Sequence, residues 1–272
     1  MKIVVCLKQV PDSWAQKRLN ESDSTLDRSS TDAVINDLDE YAIEAALQIV
    51  EAGPLGAVAN GEPESNTITL LSMGPERATE AIRKGLSMGV DEAVHVVDSA
   101  LAGSDALATS LVLAKVLADR QVDFVLCGTE STDARMAVVP AMLAERLGWP
   151  QLTFAGEIEV DASARIVRIK RITDDGVESM EAAMPCVVSV IEKINEPRYP
   201  SFKNIMSAKK KPVQTLSLSD IAIDPSQVGA AGAWTSVTNF QVLPARGAGI
   251  KITDDGTGGE QLVAFLTSKK LV

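Results

Sequence analysis

The stretch Asp123 to Pro150 sets an apolar run, a polar loop and a helical repeat in series. Phe124 to Cys127, closed by Gly128, fits a buried parallel strand. The loop and its exit read Gly128-Thr129-Glu130-Ser131-Thr132-Asp133-Ala134-Arg135-Met136-Ala137-Val138-Val139. Ala137, Met142, Leu143 and Leu147 then recur at helical spacing, and Gly148-Trp149-Pro150 stops the helix. Strand, polar loop and helix in that order place a ligand at the carboxyl end of a parallel sheet. Free N–H groups at the helix start can hold an anion there. On topology alone, Thr129 to Arg135 reads equally as a ligand loop or as a solvated connector.

Other chemistries lack their residues. The chain contains neither G-x-x-x-x-G-K-[ST] nor G-x-G-x-x-G, and the strand ending Ser72-Met73-Gly74-Pro75 lacks the Ser-Gly-Gly run of a pyrophosphatase loop. A nucleotide could therefore be held but not cleaved. The single histidine, His95, sits in the apolar run Ala93 to Val97 and reads as structural; no metal site or Ser-His-Asp arrangement is expected. Cys6, Cys127 and Cys186 read as buried strand thiols of a reducing compartment. A net charge of -11 and 4% aromatics argue against binding to nucleic acid or an anionic membrane. There is no signal-peptide pattern, and no apolar run reaches the roughly 18–20 residues of a membrane span. The chain is read as cytoplasmic, with no membrane insertion.

The elements that would position the loop follow from pattern. Lys2 to Lys8 is a strand and Gln9 to Asp12 a turn; Ser13 to Ala33 is a polar excursion or a small hairpin. Asn36-Asp37-Leu38-Asp39 is a helix start, with Tyr41 to Val50 as the helix. Gly53 to Glu64 reads as a loose surface loop. Strand Thr67 to Met73, helix Arg77 to Met88, strand Asp91 to Val97 and a helix capped by Ser104 and running to about Arg120 lead into the opening stretch. Four strand–helix alternations predict an α/β fold with a doubly wound, mostly parallel sheet. After Pro150, Phe154 to Val160, Arg165 to Ile169 and Val177 to Ala183 predict an antiparallel insertion, and Val187 to Ile191 rejoins the parallel sheet. Residues 194–211 read as irregular. Residues 212–272 carry little core and one helix, Gly259 to Lys269, so the main domain is expected to span 1–211 and the arm 212–272.

Lys193 to Lys211 is basic in an acidic protein and sets Tyr199, Phe202, Ile205 and Met206 among polar residues. It reads as a helix end with solvated lysines or as a protruding loop that offers apolar anchors to a partner. Composition favours the first.

Several stretches together resemble the β subunit of electron transfer flavoprotein. They are Met1 to Asp12, Asn36 to Ala46, Gly74 to His95, Gly128 to Trp149, and above all Asn195-Glu196-Pro197-Arg198-Tyr199 through Asn204-Ile205-Met206 to Lys209-Lys210-Lys211. The resemblance covers essentially the whole chain. It implies a Rossmann-like fold of adenine-nucleotide-binding type and an αβ heterodimer carrying electrons from flavin dehydrogenases to a downstream oxidoreductase acceptor. FAD would be held mainly by the α subunit near the interface. AMP would have a structural role in the β subunit, which would do no bond-making chemistry of its own.

By the same resemblance, AMP would meet Cys6, Asn36, Asp37, Leu38, Asp39, Met73 and the loop Gly128 to Val139. The segment Arg198-Tyr199-Pro200-Ser201-Phe202-Lys203-Asn204-Ile205-Met206 would dock into dehydrogenases, with Phe202 at the apolar anchor position. This reverses the preference for a solvated helix end. The tail from Gln214 would pack on the α subunit. The loop departs from the family pattern in lacking a glutamine, in carrying Glu130, and in having Pro140 where glycine is frequent. Ser13 stands where some members place an aromatic near the flavin, with Trp14 beside it. Two alternatives stay open: an electron-bifurcating relative with a second FAD in the β cleft, and a free-standing nucleotide-binding regulatory protein.

Overall fold

A computed structural model describes residues 1–52 and 66–272; the loop expected at Gly53 to Glu64 lies outside them. Chain contacts divide the protein into two units, Met1–Val237 and Thr238–Val272.

In the first unit β1 (Lys2–Cys6) leads into β2 (Gln9–Pro11), which pairs antiparallel with β3 (Ala33–Ile35). A turn is expected at Gln9 to Asp12, and a strand is found. Pro11 is tolerated because the two-stranded ribbon asks for few ladder donors. The excursion of residues 13–32 is therefore the connection of a hairpin. Next come α1 (Asp37–Glu51), β4 (Thr67–Met73), α2 (Thr79–Met88), β5 (Glu92–Val96), α3 (Ala106–Ala118), β6 (Phe124–Gly128) and α4 (Val139–Leu147). Helix α1 starts at the expected signal, a turn earlier than its predicted body. Helix α3 is capped by Asp105, whose carboxylate accepts from the Ala108 amide at 2.9 Å. Ser104, the expected cap, is engaged elsewhere: its hydroxyl donates to Leu101 O and accepts from the Gly229 amide.

Strands β7 (Gln151–Asp161), β8 (Ile166–Thr173) and β9 (Gly176–Ala183) form the predicted antiparallel insertion, and β10 (Cys186–Val190) rejoins the parallel sheet. Residues 194–211, expected as irregular, contain α5 (Phe202–Ala208), capped by Ser201. Then β11 (Val213–Leu216) pairs parallel with β5, and α6 (Gly229–Gly232) follows. Leu218, Ile221, Ile223 and Val228 are buried. Residues 213–228 thus carry core, and the boundary expected after 211 falls after Val237. Their apolar residues are spaced by turns, which conceals them from a search for periodicity.

Among the described residues the main sheet has the order β11-β5-β4-β1-β6-β10-β7-β8-β9, parallel from β11 to β7. Alternation along each strand builds two apolar layers. Ile3, Val5 and Leu70 pack with α1 and α2, whereas Val4, Leu71 and Val125 pack with α3 and α4. The second unit holds α7 (Gly258–Ser268), on which Leu262, Val263 and Phe265 are exposed. No helix among the described residues is long and apolar enough to cross a membrane.

Candidate functional site

Strand order reverses between β1 and β6: the chain winds outward from β1 to β4 and β5, then returns to β6 and continues to β10. In such a sheet the crevice at the strands' carboxyl ends is where ligands sit. Partly exposed Cys6 ends β1 and buried Gly128 ends β6. Gly128 lets the start of α1 rest on it, since a Cβ there would lie 2.7 Å from Asp39 Oδ1 and 2.8 Å from the Leu38 carbonyl carbon.

Asn36 precedes α1 without capping it. Its amide is spent on the loop instead. Asn36 Nδ2 donates to Glu130 O and to Asp39 Oδ1, both at 2.9 Å, and Oδ1 accepts from the Thr132 amide at 3.0 Å. Thr129 Oγ1 donates to Val190 O at 2.7 Å, tying the loop to β10. The Asp133 side chain is fully buried between Lys8 Nζ at 2.9 Å and Arg28 Nη2 at 2.6 Å. Lys17 Nζ donates to Thr132 O, and Arg77 donates to Arg28 O. The 13–32 excursion is thus strapped across the loop. Glu130 pairs with Arg135 at 3.2 Å, so its charge is compensated.

The loop then turns through two left-handed residues, Arg135 (φ 51°) and Ala137 (φ 54°), before α4 begins at Val139. Among the described residues no protein acceptor takes the N–H of Ala137, Val138 or Val139, and the buried Thr132 hydroxyl has no partner. These donors stand at the positive end of α4. Pro140, in the first turn, offers no N–H. Cys6, Met73 and Val139 pack on the same apolar layer. Asp37 faces elsewhere, into a cavity of about 410 Å³ that Trp14, Val34, Glu40, Glu80 and Lys84 also line. Met136 is half exposed.

Burial pushes the Asp39 carboxyl from its ordinary 3.8 up to about 7, against hydrogen bonds from Asn36 and the amides of Lys8 and Gly128. The folded state therefore binds more protons than the unfolded one between those values. Stability from neutral Asp39 is complete below the lower value and is lost as pH rises through the upper. The melting-temperature gap between wild type and Asp39→Asn is expected to move in the variant's favour between about pH 4 and about pH 7 and to level off above; a constant gap would show a carboxyl titrating normally. Asp133 behaves oppositely. Burial would raise it, but Lys8, the Ser131 hydroxyl and Arg28 hold it well below the usual carboxylate range. Contact with Cys6 and burial push the Cys127 thiol up, and burial pushes Cys186 to about 12, so both rest as thiols. His95 is buried, and burial lowers its pKa, so it rests neutral.

A second constellation lies along α1. Arg198 Nε and Nη2 donate to Glu44 at 2.7 and 3.0 Å, while Nη1 and Nη2 donate to Glu51 at 2.6 and 2.8 Å. Asn195 Nδ2 donates to Tyr41 O at 3.0 Å. At the far end Arg83 Nη1 donates to Ala208 O and Lys211 O, both at 2.7 Å, and Lys211 Nζ donates to Leu86 O and Val90 O. Between these anchors Tyr199 is 95% exposed and Phe202 79%, with Ile205 and Met206 beside them on α5.

The family model described as "Electron transfer flavoprotein domain" matches residues 23–221. The chain is 47% identical over 271 residues to the electron transfer flavoprotein subunit beta of Mycobacterium leprae (strain TN), covering 99% of both chains. It is 35% identical to the subunit of the same name from Megasphaera elsdenii, over 100% of this chain and 98% of that one. The chain belongs to the electron transfer flavoprotein family, as a β subunit. It is also 33% identical to the caffeyl-CoA reductase-Etf complex subunit CarD of Acetobacterium woodii, over 99% of this chain and 97% of that one. The family is one of electron carriers associated with a flavin, and a β subunit implies an α partner.

Within this β subunit the fold brings Cys6, Met73 and Gly128 to the carboxyl ends of β1, β4 and β6, and sets Asn36, Leu38 and Asp39 against the loop that follows Gly128. It turns Asp37 away, because Asp37 is one residue into α1 and faces α2. Residues 198–206 lie apart from the cleft, along α1 and α2. Sequence reasoning missed Lys8 and Arg28, which hold Asp133, and Glu44 and Glu51, which hold Arg198. Only the second pair left a trace: seven residues apart on a helix, they share a face.

Proposed function

We propose that this β subunit holds AMP, in a structural role, in the cleft at the carboxyl ends of β1 and β6, and helps to form the site of an FAD bound mainly by the α subunit. The observation that carries the nucleotide reading is the set of free N–H groups at Ala137 to Val139, where α4 begins; the same loop holds the unpartnered Thr132 hydroxyl. Those groups suit a phosphate. Asn36, Lys8 and Arg28 hold the loop in shape, and the Glu130–Arg135 pair reduces the repulsion that Glu130 alone would exert. Bound FAD supplies the one-electron chemistry. The chain's own residues bind, orient and cover, and make or break no bonds. Trp14, 95% exposed on the rim of its cavity, is the aromatic offered towards the flavin.

Residues 198–206 dock a flavin dehydrogenase as electron donor, and electrons leave to a downstream oxidoreductase. The exposed apolar residues of α7 suit packing on the α subunit, in the cytoplasm. Release of nucleotides from the co-purified αβ complex by denaturation tests the reading, and AMP is the expected product beside FAD.

A further inference from the structure

A seven-residue helix has no stability of its own in water, where even helices of about 12–15 residues are marginal. Helix α5 buries only Ala208 and exposes its large apolar side chains. Its order must come from its anchors. The basal anchor fixes the end of α5: Arg83 of α2 donates to Ala208 O and Lys211 O, and Lys211 Nζ donates back to Leu86 O and Val90 O. The start of the segment hangs on Arg198. A guanidinium is the one side chain that can give two parallel hydrogen bonds to one carboxylate and two more to another. Glu44 and Glu51, two turns apart on one face of α1, accept them, and Glu44 is itself buried.

We propose that Arg198 is a positioning residue: by bridging Glu44 and Glu51 it holds residues 198–206 in a preformed shape that presents Phe202 and its apolar neighbours to a flavin dehydrogenase. The inference rests on the docking role proposed for this segment. Preforming the segment removes the ordering cost from association, so the clamp acts on the strength of docking and not on electron transfer within the docked complex.

The test uses the αβ complex with its FAD, reduced by a flavin dehydrogenase at varied concentration. Variants are Arg198→Lys, which keeps a cation beside Glu44 but loses the double fork; Glu51→Gln, which spares the buried carboxylate; Phe202→Ala; and Arg198→Lys with Phe202→Ala. Arg198→Lys is expected to raise the half-saturating dehydrogenase concentration roughly fivefold, and Glu51→Gln by less, with the saturating rate and FAD content unchanged. In the Phe202→Ala background the lysine substitution is expected to add less than about twofold, because the clamp acts through the anchor it presents. Equal effects in both backgrounds would overturn the proposal, since Arg198 would then act independently of Phe202. No effect of Arg198→Lys where Phe202→Ala has one would overturn the clamp and leave the docking role standing. No effect of either would remove the docking role and the clamp with it.

Discussion

A Phe202→Ala complex is expected to accept electrons from its dehydrogenase on the order of thirtyfold less efficiently at limiting dehydrogenase, with FAD content and melting temperature unchanged. The size follows from losing a central aromatic anchor, about 2 kcal/mol at an interface. The selectivity follows from position. Phe202 is 79% exposed and contributes almost nothing to the core, so its removal shifts stability by no more than about 0.5 kcal/mol. It lies away from the β1/β6 cleft, on a segment held by α1 and α2. Stopped-flow reduction together with flavin absorbance separates the outcomes. Loss of FAD would mean that the segment supports the fold rather than a partner.

Gly128→Ala is expected to have the opposite profile. The added methyl meets the Leu38 carbonyl carbon at 2.8 Å and Asp39 Oδ1 at 2.7 Å. The first is backbone, and the second is fixed by Asn36 and the Lys8 amide, so neither can swing away. The start of α1 must lift, at a cost of about 2–3 kcal/mol, as overpacking of a close-packed interior commonly requires. For a unit of this size the melting temperature should fall by roughly 5–10 °C. Lifting α1 also breaks the Asn36 hydrogen bonds to Glu130 and Thr132 that shape the loop, so the nucleotide is expected to be lost from the purified complex. Thermal melting and nucleotide content, measured on one preparation, check both halves.

What was legible in the sequence follows from what is local. Strand β4 was readable to the residue because an apolar run, Thr67 to Met73, ends in Gly74-Pro75. The strand–loop–helix unit was readable because its apolar run, polar loop and helical repeat follow one another without interruption. Strands β2 and β3 were not, because three-residue strands have no room for a period and Pro11 argues against one. Helix α5 escaped because its apolar residues face outward, so it lacks the core stripe that marks a surface helix. Asn36 was readable as a helix-start residue, but its true partners, Glu130 and Thr132, lie more than ninety residues on. The Asp133 and Arg198 ion-pair networks depend on equally distant partners, which no local pattern encodes.

Helix α1 connects the two sites. Its first turn rests on Gly128 and supports the cleft, and Glu44 and Glu51 further along it hold Arg198. A nucleotide held as proposed, taking no part in chemistry, would steady the same helix that holds Arg198.

The cofactor count of the co-purified αβ complex tests the central claim most directly. After denaturation, chromatographic quantification is expected to give one FAD and one AMP per heterodimer. Two FAD and no AMP would contradict it and assign the β1/β6 cleft to a second flavin.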